Sequence, residues 1–286
     1  MATYYLNADI GNDTTGAGTS GSPWKTVSKA HTSATSGDTI ICQESTATYT
    51  FATQIFTKNL NIYGVNTDAS GVVFDAAAAV RWHTNATPTI VLDIKYITFQ
   101  NATKPSDGTY QNIISSHLIT VSNCVFKDII HPTGSGSSAS GGIVGAEYKS
   151  GAQANAVLVQ NCLFYNLTGG SPTISISLHS LDTGTHYWYN NTIYADGTYT
   201  TGNIFCHAAL SSVDMRIKNN IIYSTSSVAF NSGAGTPTFQ YNSTYNLTGV
   251  PSGTGNITSD PLFVDGPNKN FNLRPASPCI DTGILL

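Results

Sequence analysis

Short segments with period-two alternation of apolar and polar residues recur along the chain and align on one register. They lie at 94–103, 121–128, 159–168, 188–195, 217–224 and 239–248, with a weaker copy at 60–66. A reference position falls at Tyr96, Asn123, Asn161, Asn190, Asn219 and Tyr241, and at Gly64 in the weaker copy. Two residues before it stand Ile62, Ile94, Val121, Val159, Trp188, Ile217 and Phe239. Four before it stand Leu60, Leu92, Ile119, Val157, His186, Met215 and Pro237. Three after it stand Phe99, Phe126, Phe164, Ile193, Ile222 and Thr244. These columns are mostly apolar and the positions between them mostly polar, which predicts strands with one buried face. Each unit reads as a strand, an Asn-containing turn and a second short strand.

One such unit cannot bury its own apolar face, whereas stacked units can. Successive reference positions are 27, 38, 29, 29 and 22 residues apart. Propeller blades are antiparallel and run to about 40 residues, so these shorter, variable units favour a parallel solenoid. Residue identity down the columns predicts in-register stacking, with Asn over Asn at the reference position, Phe over Phe and Tyr over Tyr. The glycine- and serine-rich stretch 131–142 reads as an insertion on one edge. The layout expected is a single domain, 1–286, with an N-terminal cap over 1–45, coils over 46–250 and a C-terminal cap segment over 251–286. A short capping helix is expected with Ser22 as N-cap, Pro23 at its first position, Gly37 beyond its end, and Trp24, Val27 and Ala30 as its apolar stripe. It would shield the strand edges at the open end of the stack.

Composition narrows the class. Thr, Ser, Asn and Gly supply 118 of the 286 residues. These favour strands, turns and caps over helix interiors, which excludes a helical bundle. The chain is 40% hydrophobic with a net charge of -4, so wholesale disorder is not expected. An isoelectric point near 5.9 disfavours nucleic-acid binding through a basic surface. No apolar run is long enough to span a membrane, and the first residues do not read as a secretory signal peptide. The five cysteines, Cys42, Cys124, Cys162, Cys206 and Cys279, are odd in number and widely spaced. That argues against a disulfide framework or a zinc knuckle.

Three stretches resemble a known family. They are the opening from Tyr4 to Cys42, the NC[VL]F and NN[TI]I units, and the ending from Ser259 to Gly283. Together they resemble right-handed parallel β-helix proteins of the pectate-lyase-like superfamily, of the bacterial and phage type. The resemblance covers nearly the whole chain. It implies an all-β, right-handed parallel β-helix of about seven or eight coils. It says little of activity, since this fold hosts lyases, hydrolases, adhesins and phage spikes.

The resemblance sets the chemistry to look for. Lyases of the superfamily need a Lys or Arg base and usually Ca²⁺ held by several carboxylates, and the hydrolases need two or more Asp on neighbouring coils. Twelve positions point outward from the aligned strands, namely Asp93, Thr120, Leu158, Tyr187, Arg216 and Thr238 with Lys95, Ser122, Gln160, Tyr189, Lys218 and Gln240. Only one is acidic, so this face assembles no acid cluster. Asp128, Asp182, Asp196 and Asp214 could form one on another face. Tyr187, Tyr189, Arg216 and Lys218 share a face on consecutive units and are the candidate ligand- or partner-binding residues. The histidines lack metal-ligand spacing, His186 reads as a core residue, and adjacent Cys206 and His207 make a poor nucleophile pair. Cys124 and Cys162 share a column and should be stacked free thiols. Asp9, Asn12 and Asp13 read as an Asx-rich turn rather than a calcium loop.

The expected function is a non-catalytic surface protein, a virion component of the capsid-decoration, tail or fibre type. The alternative is a polysaccharide lyase or glycoside hydrolase acting on an acidic polysaccharide. No catalytic residue, metal or cofactor is assigned, and calcium finds no supporting ligand set. The partners expected are a capsid or other virion protein, or a polysaccharide. A homotrimer is compatible with this reading, and neither nucleic acid nor membrane is expected. The location expected is a virion or an extracellular surface.

Overall fold

The computed structural model describes residues 1–84, 89–103, 112–131, 142–146, 154–169, 177–178, 184–196, 203–205, 207–208, 213–230 and 236–286. The described residues are all-β apart from one helix, Val27–Ser33. The strands form long parallel sheets. The first sheet has nine strands, and its order follows the chain from Thr3–Leu6 and Asp38–Cys42 through Leu60–Gly64, Val91–Lys95, Leu118–Ser122, Ala156–Gln160, Thr185–Tyr189 and Asp214–Lys218 to Thr238–Gln240. A second sheet, also of nine strands, contains the short strands that follow each reference position. A third, of four strands, joins Gln54–Phe56, Trp82–Thr84, Ile114–Ser116 and Val144–Ala146. From Leu60 to Ala146 the chain visits first, second and third sheet in the same cyclic order, three times over.

The pairing follows the sequence columns. Ile62 lies beside Ile94, Ile94 beside Val121, and Val121 beside Val159. The line continues through Trp188 and Ile217 to Phe239. Val121, Val159, Trp188 and Ile217 are fully buried. In the second sheet Phe74, Phe99, Phe126 and Phe164 pair in line. Phe99–Phe126 and Phe126–Phe164 stack with centroids 5.2 and 4.9 Å apart. The apolar columns of the two sheets belong to one core, to which Trp82 of the third sheet also belongs. The third sheet escapes the sequence alignment because its strands are only three residues long and no residue type recurs down its paired columns.

Backbone conformation at the reference position explains the corner. Tyr96, Asn123, Asn161, Asn190, Asn219 and Tyr241 all have φ between 53° and 60°. This left-handed conformation suits Asn and is costly for bulky residues. Gly64 is different. A Cβ there would lie 2.0 Å from the Tyr96 carbonyl oxygen, so the glycine permits a close approach.

The left-handed residue flips the phase of the alternation, which relocates the expected asparagine ladder. The reference asparagines face out, and the next column faces in: Cys124, Cys162, Asn191, Asn220 and Asn242 are buried. Asn191 Nδ2 donates to Asn220 Oδ1 at 3.0 Å, and Asn220 Nδ2 to Asn242 Oδ1 at 2.9 Å. Each amide also reaches the main chain: Asn191 Nδ2 donates to Val159 O and Asn220 Nδ2 to Trp188 O. The Asn191 backbone N–H donates to Asn220 Oδ1, and that of Asn220 to Asn242 Oδ1. At the top of the ladder the Cys162 backbone N–H donates to Asn191 Oδ1. Cys124 and Cys162 are free thiols on successive coils. Burial, with the Cys124 thiol adjacent, pushes the Cys162 thiol well above its ordinary range.

The capping helix begins later than the sequence suggests. Thr26, not Ser22, is the N-cap, and its hydroxyl accepts from Lys29 N at 3.1 Å. Asp13 holds Thr26 in place by accepting from its backbone N–H and its hydroxyl. Residues 22–24 are engaged elsewhere: Ser22 bridges Thr19, and Trp24 bridges Leu6 of the first strand. Val27 and Ala30 are the helix's buried residues. Gly37 does adopt positive φ, at 91°, but in the turn that follows. Asn12 Oδ1 accepts from Thr14 N and Thr15 N, the Asx turn expected there. Segment 251–286 includes an antiparallel hairpin, Phe263–Asp265 with Asn270–Leu273. It packs on the outer face of the second sheet, where Phe263 and Phe271 meet Tyr194.

Candidate functional site

The first sheet brings together all four predicted site residues. Tyr187 pairs directly with Arg216, and Tyr189 with Lys218, across two adjacent parallel strands. All four point away from the core, because Trp188 and Ile217 between them are buried. Arg216 is exposed, and the other three are half-buried. The two tyrosine rings meet edge to face, 5.5 Å between centroids, and the Arg216 guanidinium lies 5.6 Å from the Tyr187 centroid. Burial raises the Tyr189 phenol above its ordinary value, against the opposing pull of Arg216. The Tyr189 phenol therefore stays neutral and can donate at neutral pH.

One participant was missed. Asp214 begins the same strand as Arg216 and so lies on the same face, two residues away. Its carboxylate accepts from Arg216 Nη2 at 2.7 Å and Nε at 3.0 Å. Asp214 therefore joins the tyrosine–cation patch, not an acid site with Asp128 and Asp196. The i, i+2 spacing of Asp214 and Arg216 in a strand was the available signal. Part of the guanidinium fork is thus already occupied, and the patch offers a ligand Lys218, the remaining Arg216 donors and the tyrosines.

A second cluster sits farther along the same face. Tyr63 donates its hydroxyl to Asp93 at 2.5 Å, and Lys95 lies 2.8 Å from the same carboxylate oxygen. Lys95 also lies 4.9 Å from the centre of the Tyr63 ring. Tyr63, Asp93 and Lys95 therefore form a three-residue knot, closed upon itself.

The remaining acids divide. Asp182 lies outside the described residues, as do His179 and Cys206. Asp128 and Asp196 line one groove of about 480 Å³ with Asn101, Ile130, Asn166 and Thr168. Asp128 has φ 57° and sits opposite Asn166 on the neighbouring coil, whose amide donates to it at 2.8 Å. Asp196 is paired with Lys269 of the C-terminal hairpin turn. Among the described residues, no three His, Cys, Asp or Glu side chains gather as a metal-binding group. No protein-family model matches the chain, and no curated protein sequence matches it.

Proposed function

We propose that this chain is a non-catalytic surface protein, a virion component of the decoration, tail or fibre type, that holds a glycan or a partner protein on the outer face of its first sheet. The architecture behind this reading is a right-handed parallel β-helix of about seven or eight coils. The repeated cyclic visits to three sheets support such winding. The observation that carries the binding reading is the juxtaposition of Tyr187, Tyr189, Arg216 and Lys218 on one pair of strands. Tyrosine presents apolar area and a hydroxyl at low entropic cost, and the cations supply charge to an acidic sugar or acidic partner rim. The neighbouring outward residues Thr120, Leu158, Gln160 and Thr238 offer less binding energy.

The test is the double variant Tyr187→Ala/Arg216→Ala, assayed on acidic and neutral polysaccharides and on purified capsids. Attachment should fall at least tenfold while the melting temperature stays within about 2 °C, because outward side chains contribute little to stability. Unchanged attachment in a folded variant would remove this face from the function.

One observation favours an enzymatic reading, a glycoside hydrolase acting at the Asp128–Asp196 groove. The pairing sets Asp128 two coils from Ala195, the neighbour of Asp196, roughly 10 Å between backbones, and both aspartates line the groove. Side chains leaning together from that backbone spacing reach the separation of acid pairs that invert configuration, about 6.5–9.5 Å. Asp196, paired with Lys269, would be the base and Asp128 the acid. Release of reducing ends from a polysaccharide, abolished by Asp128→Asn, would establish it in place of the first reading.

A further inference from the structure

The left-handed asparagines at the corner after each first-sheet strand carry an inference separate from the tyrosine–cation patch. Asn161, Asn190 and Asn219 occupy equivalent positions on three successive coils, with φ of 54°, 56° and 58°. Their side chains all leave the core, since the column that follows them is the buried one. Asn219 is in use. Its Nδ2 donates to the Ile284 carbonyl at 2.7 Å, and its Oδ1 accepts from the Ile284 N–H at 3.0 Å. One side-chain amide thus grips both main-chain groups of one residue in the C-terminal segment.

Asn161 and Asn190 have the same backbone conformation and are exposed, and among the described residues their side-chain amides have no hydrogen-bond partner. They line a cleft of about 620 Å³, whose opposite wall is the hairpin turn 268–272. That wall is anchored. Lys269 pairs with Asp196, and Phe271 packs on Tyr165 and Tyr194 with centroids 5.4 and 5.0 Å away.

We propose that Asn161 and Asn190 form a docking site for an extended polypeptide segment of a partner protein, seated in this cleft and gripped as Asn219 grips Ile284. The chemistry selects the ligand class. In an extended chain the N–H and C=O of one residue point to the same side, as in the paired residues of a sheet. A primary amide carries a donor and an acceptor side by side and matches that pair. The acetamido group of an amino sugar is a trans secondary amide. Its N–H and C=O point to opposite sides, so one asparagine cannot take both. Alternate residues of an extended chain are about 6.6 Å apart and adjacent coils about 4.8 Å, so the segment crosses the stack obliquely. Phe271 and Leu163 supply apolar wall for its side chains.

The experiment pans phage-displayed random heptapeptides against the full protein. The comparison protein is Asn161→Gly/Asn190→Gly, because glycine keeps the left-handed backbone and removes only the amides. Enriched peptides should bind wild type at least tenfold more tightly than the double variant. Synthetic copies methylated at the backbone nitrogen should lose binding in one alternating register and keep it in the other. If the double glycine variant melts early, Asn161→Asp/Asn190→Asp replaces it, keeping the acceptors and removing the donors. No enrichment, equal binding to both proteins, tolerance of methylation in both registers, or glycan binding at the cleft without peptide binding would each overturn the proposal.

Discussion

Asn220 is the middle rung of the buried asparagine ladder. Its Oδ1 accepts from the backbone and side-chain amides of Asn191, while its Nδ2 donates to Trp188 O and Asn242 Oδ1. Replacing it with leucine would keep the volume but strand several buried polar groups. Unsatisfied buried donors and acceptors cost about 1–3 kcal/mol each, so Asn220→Leu should lose at least about 3 kcal/mol in urea unfolding. A loss below about 1 kcal/mol would show that the ladder is ornamental. This ladder was legible in kind but misplaced by one residue. The missed signal lay in the columns themselves. Apolar positions four and two before the reference share one parity, and the position three after it has the other. Strict alternation cannot satisfy both, so the phase must flip at the corner, turning the following residue inward. At the same scale His83, on the third sheet, is a titrating group. Burial, with the Arg81 charge adding, lowers its imidazole to about 4. Between the ordinary value of about 6.5 and that value, the unfolded chain binds a proton that the folded chain refuses. Stability is therefore full above this window and falls as pH drops through it. Thermal melts from pH 7 to 4 should show the decline, and His83→Gln should shrink it. An identical pH slope in the variant would clear His83. Lowered Asp9 and Asp38 act in more acidic solution, where protonating them removes backbone hydrogen bonds.

Among the elements, the first-sheet strands were the most legible, because each shows two buried positions at fixed distance from a recognisable corner. Val159 sits between Val121 and Trp188 on neighbouring strands and is fully buried. Val159→Asp would put an unpaired charge in that column and should cost more than about 4 kcal/mol, read as failure to fold or a loss of cooperative melting. Near-native melting would mean that the strand faces were assigned in reverse. Less legible were elements whose place depends on distant partners. The helix start was misjudged because Pro23 and Ser22 carry the local signals, yet Trp24 is drawn into a bridge with Leu6 and Asp13 fixes Thr26 as the cap. The C-terminal segment reads as a cap, but its hairpin covers a ladder of outward tyrosines. Tyr194–Tyr223 and Tyr223–Tyr245 stack at 4.8 and 5.1 Å, and Phe263 packs against the first two. Column identity announced the tyrosine ladder but not what would cover it.

Over the whole molecule, one register organises everything proposed for its surface. The alternation that buries Trp188 and Ile217 turns out Tyr187, Tyr189, Arg216 and Lys218, and a slip by one residue would exchange the two sets. The candidate patch was legible to this extent: four residues on one face of two consecutive units. Asp214 was not grouped with them because it stands at the very start of its strand, outside the aligned columns. The most direct test is oxidative cross-linking of paired cysteines, in a protein whose Cys206 and Cys279 are replaced by serine. Direct neighbours in a parallel sheet lie about 4.8 Å apart, within the Cα separation of about 4.4–6.8 Å that a disulfide accepts. Tyr187→Cys/Arg216→Cys should cross-link rapidly in the folded protein, and Trp188→Cys/Arg216→Cys, on opposite faces, should not. Cross-linking of the 188/216 pair, with the 187/216 pair remaining reduced, would contradict the register and with it the binding face.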